Sequence, residues 1–166
     1  MIEFRKIIGD NIDEVMALEV EENQEDFIET TNLRSFADAH MFNADGIPAT
    51  PFAIYADEVA VGFLMYIYDT LDHELFENEV FYGKKSYFIW HIMIEKSYQG
   101  KGYGKLALKK MLMDIETTPD GEAEYVALFY RTSNVIAKAL YASFGFVDTG
   151  IIQDNSMLAI KNLDGY

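Results

Sequence analysis

The chain has 166 residues and a mass of 19.0 kDa, half hydrophobic and 14% aromatic, which suits a single domain over residues 1–166 and excludes global disorder. It has no cysteine, so disulfides, thiolate metal sites and a cysteine nucleophile are excluded, and His40, His73 and His91 are too scattered for a metal motif. Thirteen basic against 28 acidic residues leave a net charge of −15, a field that repels nucleic-acid phosphates and anionic membranes and attracts cations.

In chain order, Ile2 to Ile8 reads as a first strand rather than a signal peptide. Asp10 is placed to cap a helix through Val15, Leu18 and Val20, and residues 23–30 continue it with many acids. A break at Thr31-Asn32 precedes a short helix over Leu33 to Met41. The period then changes to two. Phe52–Ala56 and Val59–Tyr68 form a hairpin about Asp57-Glu58, and residues 69–85 read as a polar, acidic loop. Tyr87–Ile94 is apolar and short enough for a buried central strand. A glycine-rich loop and a helix over Lys105–Ile115 follow it. Tyr125–Tyr130 is a second buried strand, Asn134 caps a helix through Phe144, and Phe146-Val147 and Met157–Ile160 close the chain. The order β-α-α-β-β-β-α-β-α-β-β predicts an α+β, mixed sheet protein.

Charge divides the chain. Residues 1–83 hold 19 acids and three bases, a net of −16, whereas residues 84–166 hold nine acids and ten bases, a net of +1. A solvated acidic surface accounts for this, and so does a division of labour in which one half meets a cation and the other an anion.

Gln99-Gly100-Lys101-Gly102-Tyr103-Gly104 joins a buried strand to a helix. Glycines there allow close backbone approach to a ligand, and loop amides, the helix dipole, Lys101 and Lys105 suit a phosphate-bearing molecule. The spacing lacks the Gly-Lys-Ser/Thr ending of a nucleotide P-loop and the register of a dinucleotide fold. Tight strand–helix packing is the other reading of the same glycines.

These residues, with the preceding Ile92-Met93-Ile94, resemble the fingerprint of the GNAT N-acetyltransferases, a strand followed by Q/R-x-x-G-x-G/A and a helix. Asn134 to Phe146 is similar to a second block of that family, N-x-x-A-x-x-L-Y-x-x-x-G-F. The resemblance implies the GNAT fold: a mostly antiparallel, twisted sheet of six to seven strands flanked by four helices. It also implies acetyl-CoA as donor, without a metal. Loop amides from Gln99 to Lys105 would bind pyrophosphate, Ile92, Met93 and Ile94 would hold the pantetheine and acetyl carbonyl, and Asn134 would position the pantetheine arm. The Tyr141 position is the family's general acid. A tyrosine of ordinary pKa about 10 can protonate a departing thiolate. Without the resemblance, Tyr141 reads as a core aromatic beside Ala137, Leu140 and Phe144.

Within that family the Glu19–Phe27 block and the Tyr98–Gly104 phrasing resemble bacterial spermine/spermidine acetyltransferases. A polyamine calls for carboxylates among aromatics, so Glu22, Gln24, Glu25 and Phe27 are candidate acceptor residues, with Tyr66 and Tyr68 nearby. Each of these acids also suits a solvated face. Some polyamine acetyltransferases carry an acidic base where Trp90 stands. Trp90 is expected to line the acceptor pocket instead, and His91 becomes the candidate base, with a buried, hydrogen-bonded histidine as the alternative. Strand alternation points His91 away from Trp90 unless a bulge intervenes.

The expected activity is acetyl transfer to a primary amine, with spermidine or spermine as acceptor, by direct attack in a ternary complex. A protein amine, an aminoglycoside and a non-catalytic acyl-CoA sensor remain alternatives. The expected setting is cytoplasmic, without nucleic acid or membrane, and the resemblance adds the expectation of a homodimer.

Overall fold

The computed structural model describes residues 1–27 and 31–164, with the backbone alone over residues 25–27. Seven strands form one sheet: β1 (Ile2–Lys6), β2 (Ala49–Ala56), β3 (Val59–Thr70), β4 (Lys85–Ile94), β5 (Tyr125–Arg131), β6 (Val147–Gln153) and β7 (Ser156–Asn162). Their spatial order is β1-β2-β3-β4-β5-β7-β6. Every neighbouring pair is antiparallel except β4–β5. That pair is parallel because the chain crosses between them through α3 (Tyr103–Glu116), and a parallel connection needs a crossover of such length. The element order and the mixed sheet agree with the expectation from sequence.

Helices cover both faces. On one face α3 buries Ala107, Leu108, Met111, Leu112 and Ile115, a stripe at helical spacing, against Leu64, Tyr66, Tyr87, Ile89 and Leu128. The partly buried side chains of α4 (Val135–Ser143) join this core. On the other face, α1 (Ile12–Met16) and α2 (Asn32–Ala44) cover Ala53, Phe63, Met65 and Met93.

The N-terminal elements differ from the sequence reading. Helix α1 stops at Met16, so Leu18 and Val20 lie beyond it, and its cap position is Asn11 rather than Asp10. Residues 22–27 form a 3-10 turn, not a continued α-helix. Helix α2 starts at Asn32, where the Thr31 side chain accepts from the Arg34 amide at 3.1 Å, and runs three residues past the expected end to Ala44. The loop after β3 is polar only on its outside: Leu71, Phe76 and Phe81 are buried against Tyr125 and Leu158. No helix among the described residues is long and apolar enough to cross a membrane.

Two irregularities in β4 open the sheet. Met65 pairs with His91 but Tyr66 pairs with Ile89, so Trp90 is an extra, bulged residue. In addition, the β4–β5 ladder runs only from Ser86↔Tyr125 to Ile89↔Leu128, although both strands continue. Beyond the bulge the sheet therefore splits.

Candidate active site

A cleft of about 1170 Å³ passes through this split. Ile92 and Ile94 line it from the α3 side, and His91 and Met93 line it from the α2 side. Its two ends differ chemically.

The first end is built by the glycine loop. Gly100 and Gly102 have φ of 73° and 84°, the left-handed region that glycine adopts without a Cβ penalty. A Cβ added at either would meet no protein atom within 4 Å, so internal packing does not demand glycine there. Gly104 differs: it lies inside α3, and a Cβ would make ordinary contact with Ile94 at 3.8 Å. Gly102 is the N-cap residue of α3 and supplies no side chain to the cap, and no acid occupies the first turn. The leading amides of a 14-residue helix are thus left for an anion. Tyr103 and Lys105 line this end of the cleft. Lys101 does not, because its ammonium sits 5.1 Å from the centre of the Tyr98 ring. Gln99 fixes the loop to the strand end by donating to the Ile94 carbonyl at 2.9 Å.

Asn134 and Tyr141 face the same end from α4. The Asn134 side chain accepts from the Ala137 amide at 3.0 Å, as expected for a cap. Tyr141 is half-buried, its ring 5.7 Å from Phe146 and 6.0 Å from Tyr130. Loss of solvent pushes its pKa up to about 12. Among the described residues no group hydrogen-bonds its hydroxyl, which is left for something in the cleft.

The other end is acidic and aromatic. The Trp90 bulge turns both Trp90 and His91 toward α2, so the alternation expected between them does not hold. Trp90 Nε1 donates to Asp38 Oδ2 at 3.0 Å, and its ring packs edge-on against Phe42. His91 Nδ1 lies 2.8 Å from Ser35 Oγ. Burial pushes the His91 pKa down to about 4, so the ring is neutral at pH 7. Its Nε2 is buried without a partner among the described residues. Asp38, Asp69 and Asp72 line this end, as do Trp90 and Gln24.

The expected acceptor residues are only partly gathered here. Glu22 is exposed and does not line the cleft. The side chains of Glu25 and Phe27 lie outside the described residues. Tyr66 and Tyr68 belong to the α3 face, with the Tyr68 hydroxyl donating to the Glu122 carbonyl at 2.7 Å, so they stand apart from this end. Sequence reasoning missed Ser35, Asp38 and Arg34. Their signal is present: Asn32, Ser35 and Asp38 recur every third residue and are buried, while Leu33 and Met41 on the same helix are exposed. A helix that turns polar residues inward faces a site rather than a core.

Comparison with known proteins identifies the family and the fold. The family model described as acetyltransferase (GNAT) family matches residues 12–146. A spermine/spermidine N(1)-acetyltransferase of Bacillus subtilis (strain 168) is 27% identical over 157 residues, 93% of each chain. Mycobacterium smegmatis RimJ, solved in complex with CoA-disulfide, is similar with a TM-score of 0.71 and 16% identity, over 98% of this chain and 82% of that one. An aminoglycoside N(6')-acetyltransferase of Legionella pneumophila gives a TM-score of 0.67 at 18% identity, over 98% of this chain and 92% of that one. At these identities the structural likeness is one of fold.

Proposed function

This chain belongs to the acetyltransferase (GNAT) family, and from that premise we propose that it acetylates a primary amine of a polyamine such as spermidine or spermine, with acetyl-CoA as donor. The observation that carries the reading is the cleft itself, which joins an amide-rich, cationic end to an acidic, aromatic end through the split in the sheet.

The residues present fit acetyl-CoA. Gly100 and Gly102 open onto the cleft where a Cβ would fill free space, and the α3 amides suit a pyrophosphate. Among the described residues the β5-facing edge of residues 90–94 has no strand partner along the split, which leaves backbone groups for a pantetheine chain and an acetyl carbonyl. When bound, the donor supplies a thioester carbonyl open to attack. The chain's residues do the rest. The acidic end holds the polycation and orients one nitrogen toward the split. That nitrogen attacks as the neutral amine, its ammonium proton having passed to solvent beforehand: it forms the new C–N bond, the C–S bond breaks, and one N–H proton passes to solvent water at the open cleft. Tyr141 gives its hydroxyl proton to the sulfur. Its raised pKa keeps that proton in place at neutral pH, and it regains a proton from solvent afterwards. His91 is a weak base at a pKa of about 4, which favours a holding role over proton abstraction.

The test is release of CoA from acetyl-CoA with a panel of amines: spermidine, spermine, a monoamine of similar length, an aminoglycoside and a peptide. Preference for the polyamines supports the reading. Preference for the peptide or aminoglycoside, or no turnover, overturns it.

A further inference from the structure

At the acidic end of the cleft the one buried carboxylate among the described residues is Asp38, only 5% exposed. Its two oxygens are used differently. Oδ2 accepts from the Trp90 indole at 3.0 Å, a fixed wall of the cleft. Oδ1 accepts from Arg34 Nε at 2.8 Å, and the Arg34 side chain is 66% exposed at the cleft mouth. Arg34 is the only Lys or Arg between Lys6 and Lys84. The single cation of the most acidic stretch of the chain is thus paired with its one buried acid among the described residues.

Two other polar atoms in the cleft are buried with no partner among the described residues: Oε1 of Gln24 and Nε2 of His91. Oε1 is a pure acceptor, and Nε2 becomes one when Nδ1 donates to Ser35. Buried acceptors without donors are costly, so this end is short of N–H groups. A polyamine carries many N–H donors, and its protonated nitrogens carry no acceptor.

We propose that Asp38 anchors an ammonium group of the acceptor, and that Arg34 occupies that place in the free protein and swings out when the polycation binds. The exposed guanidinium is a stand-in for the substrate's charge, so Asp38 is never left buried and unpaired. The exchange also selects for charge: a ligand that cannot replace the guanidinium leaves Asp38 uncompensated if it displaces Arg34. This inference rests on the polyamine reading above.

The test uses the full chain with CoA bound. Trp90 is the only tryptophan and touches Asp38, so its fluorescence reports spermidine binding at this point directly. Arg34→Gln is expected to tighten spermidine binding by about two- to fivefold, the strength of an exposed ion pair. Asp38→Asn is expected to weaken it by about tenfold or more. Lys6→Gln, which changes net charge by the same amount on the exposed β1 strand, is expected to leave it unchanged. If Asp38→Asn fails to fold, the Arg34→Gln and Lys6→Gln arms decide. Weaker binding in Arg34→Gln, or values matching Lys6→Gln, overturns the exchange while the polyamine reading stands. A wild type that does not prefer polyamines to the monoamine overturns both.

Discussion

Tyr141 has a half-buried ring, a hydroxyl with no protein partner among the described residues and a pKa raised by burial to about 12. Tyr141→Phe deletes only that hydroxyl, so folding and CoA affinity should hold while turnover falls by about 10²–10⁴-fold, as loss of a general acid requires. Steady-state kinetics beside a thermal melt separate the two effects, and unchanged turnover removes Tyr141 from the chemistry. His91 makes a different prediction. Its pKa is near 4 in the fold against an ordinary value near 6.5, so below pH 6.5 the unfolded chain binds the proton that the native chain refuses. Its contribution is therefore whole above about pH 6.5 and is lost progressively as pH falls toward about 4. The loss is about 2–4 kcal/mol at one residue. Denaturant melts across that range should show a steeper fall for wild type than for His91→Asn. Parallel curves would mean that the ring is charged or solvated in the native state.

The elements most legible in the sequence are those written in local pattern. The Asn134 cap, the α3 stripe and the Asp57-Glu58 turn, with both residues at positive φ, needed nothing beyond their neighbours. The Trp90 bulge was not legible, because it is a register event between β3 and β4 that no stretch of β4 records alone. The buried face of α2 was not legible either, since Leu33 and Met41 are exposed while Asn32, Ser35 and Asp38 are buried beside Ala39. The glycine loop was legible as a loop, but its three glycines have different reasons. Gly102→Ala places a Cβ at φ 84°, which costs about 1–2 kcal/mol and leaves the fold intact. It also puts a methyl where the donor's phosphates are expected, so calorimetry should show acetyl-CoA affinity falling at least about tenfold. Normal affinity would make the loop a structural turn alone. Gly62, unnoticed in the sequence, is the stricter glycine: a Cβ there would meet the Met93 carbonyl oxygen at 2.4 Å. Gly62→Ala must push β3 from β4 beside the split and should cost about 1–3 kcal/mol or more. An unshifted melting temperature would contradict the close strand approach.

Across the whole molecule, the two halves of the chain bring different charges to one cleft. The −16 half supplies Asp38, Asp69 and Asp72 to one end, and the second half supplies Lys105 and the loop amides to the other. A field of this kind acts over a Debye length of about 8 Å at physiological salt. Raising salt should therefore raise KM for spermine more than for spermidine, and for spermidine more than for a monoamine, because each added ammonium meets another carboxylate. The general field and the local site are separable by charge reversal at two exposed acids. Asp72 lines the cleft and Glu22 does not, yet Asp72→Lys and Glu22→Lys change net charge equally. A charge reversed within several ångströms of the ligand, in a partly solvated cleft, is worth about three- to tenfold in binding. Asp72→Lys should show that loss for polyamines, with a much smaller one for the monoamine, while Glu22→Lys should shift all amines slightly. The KM for acetyl-CoA gives the internal reference, since neither residue belongs to the loop end. Equal losses from the two variants would mean that only net charge matters. Equal losses for mono- and polyamines would mean that the acidic half is a solvated surface and that the acceptor is chosen by something other than charge.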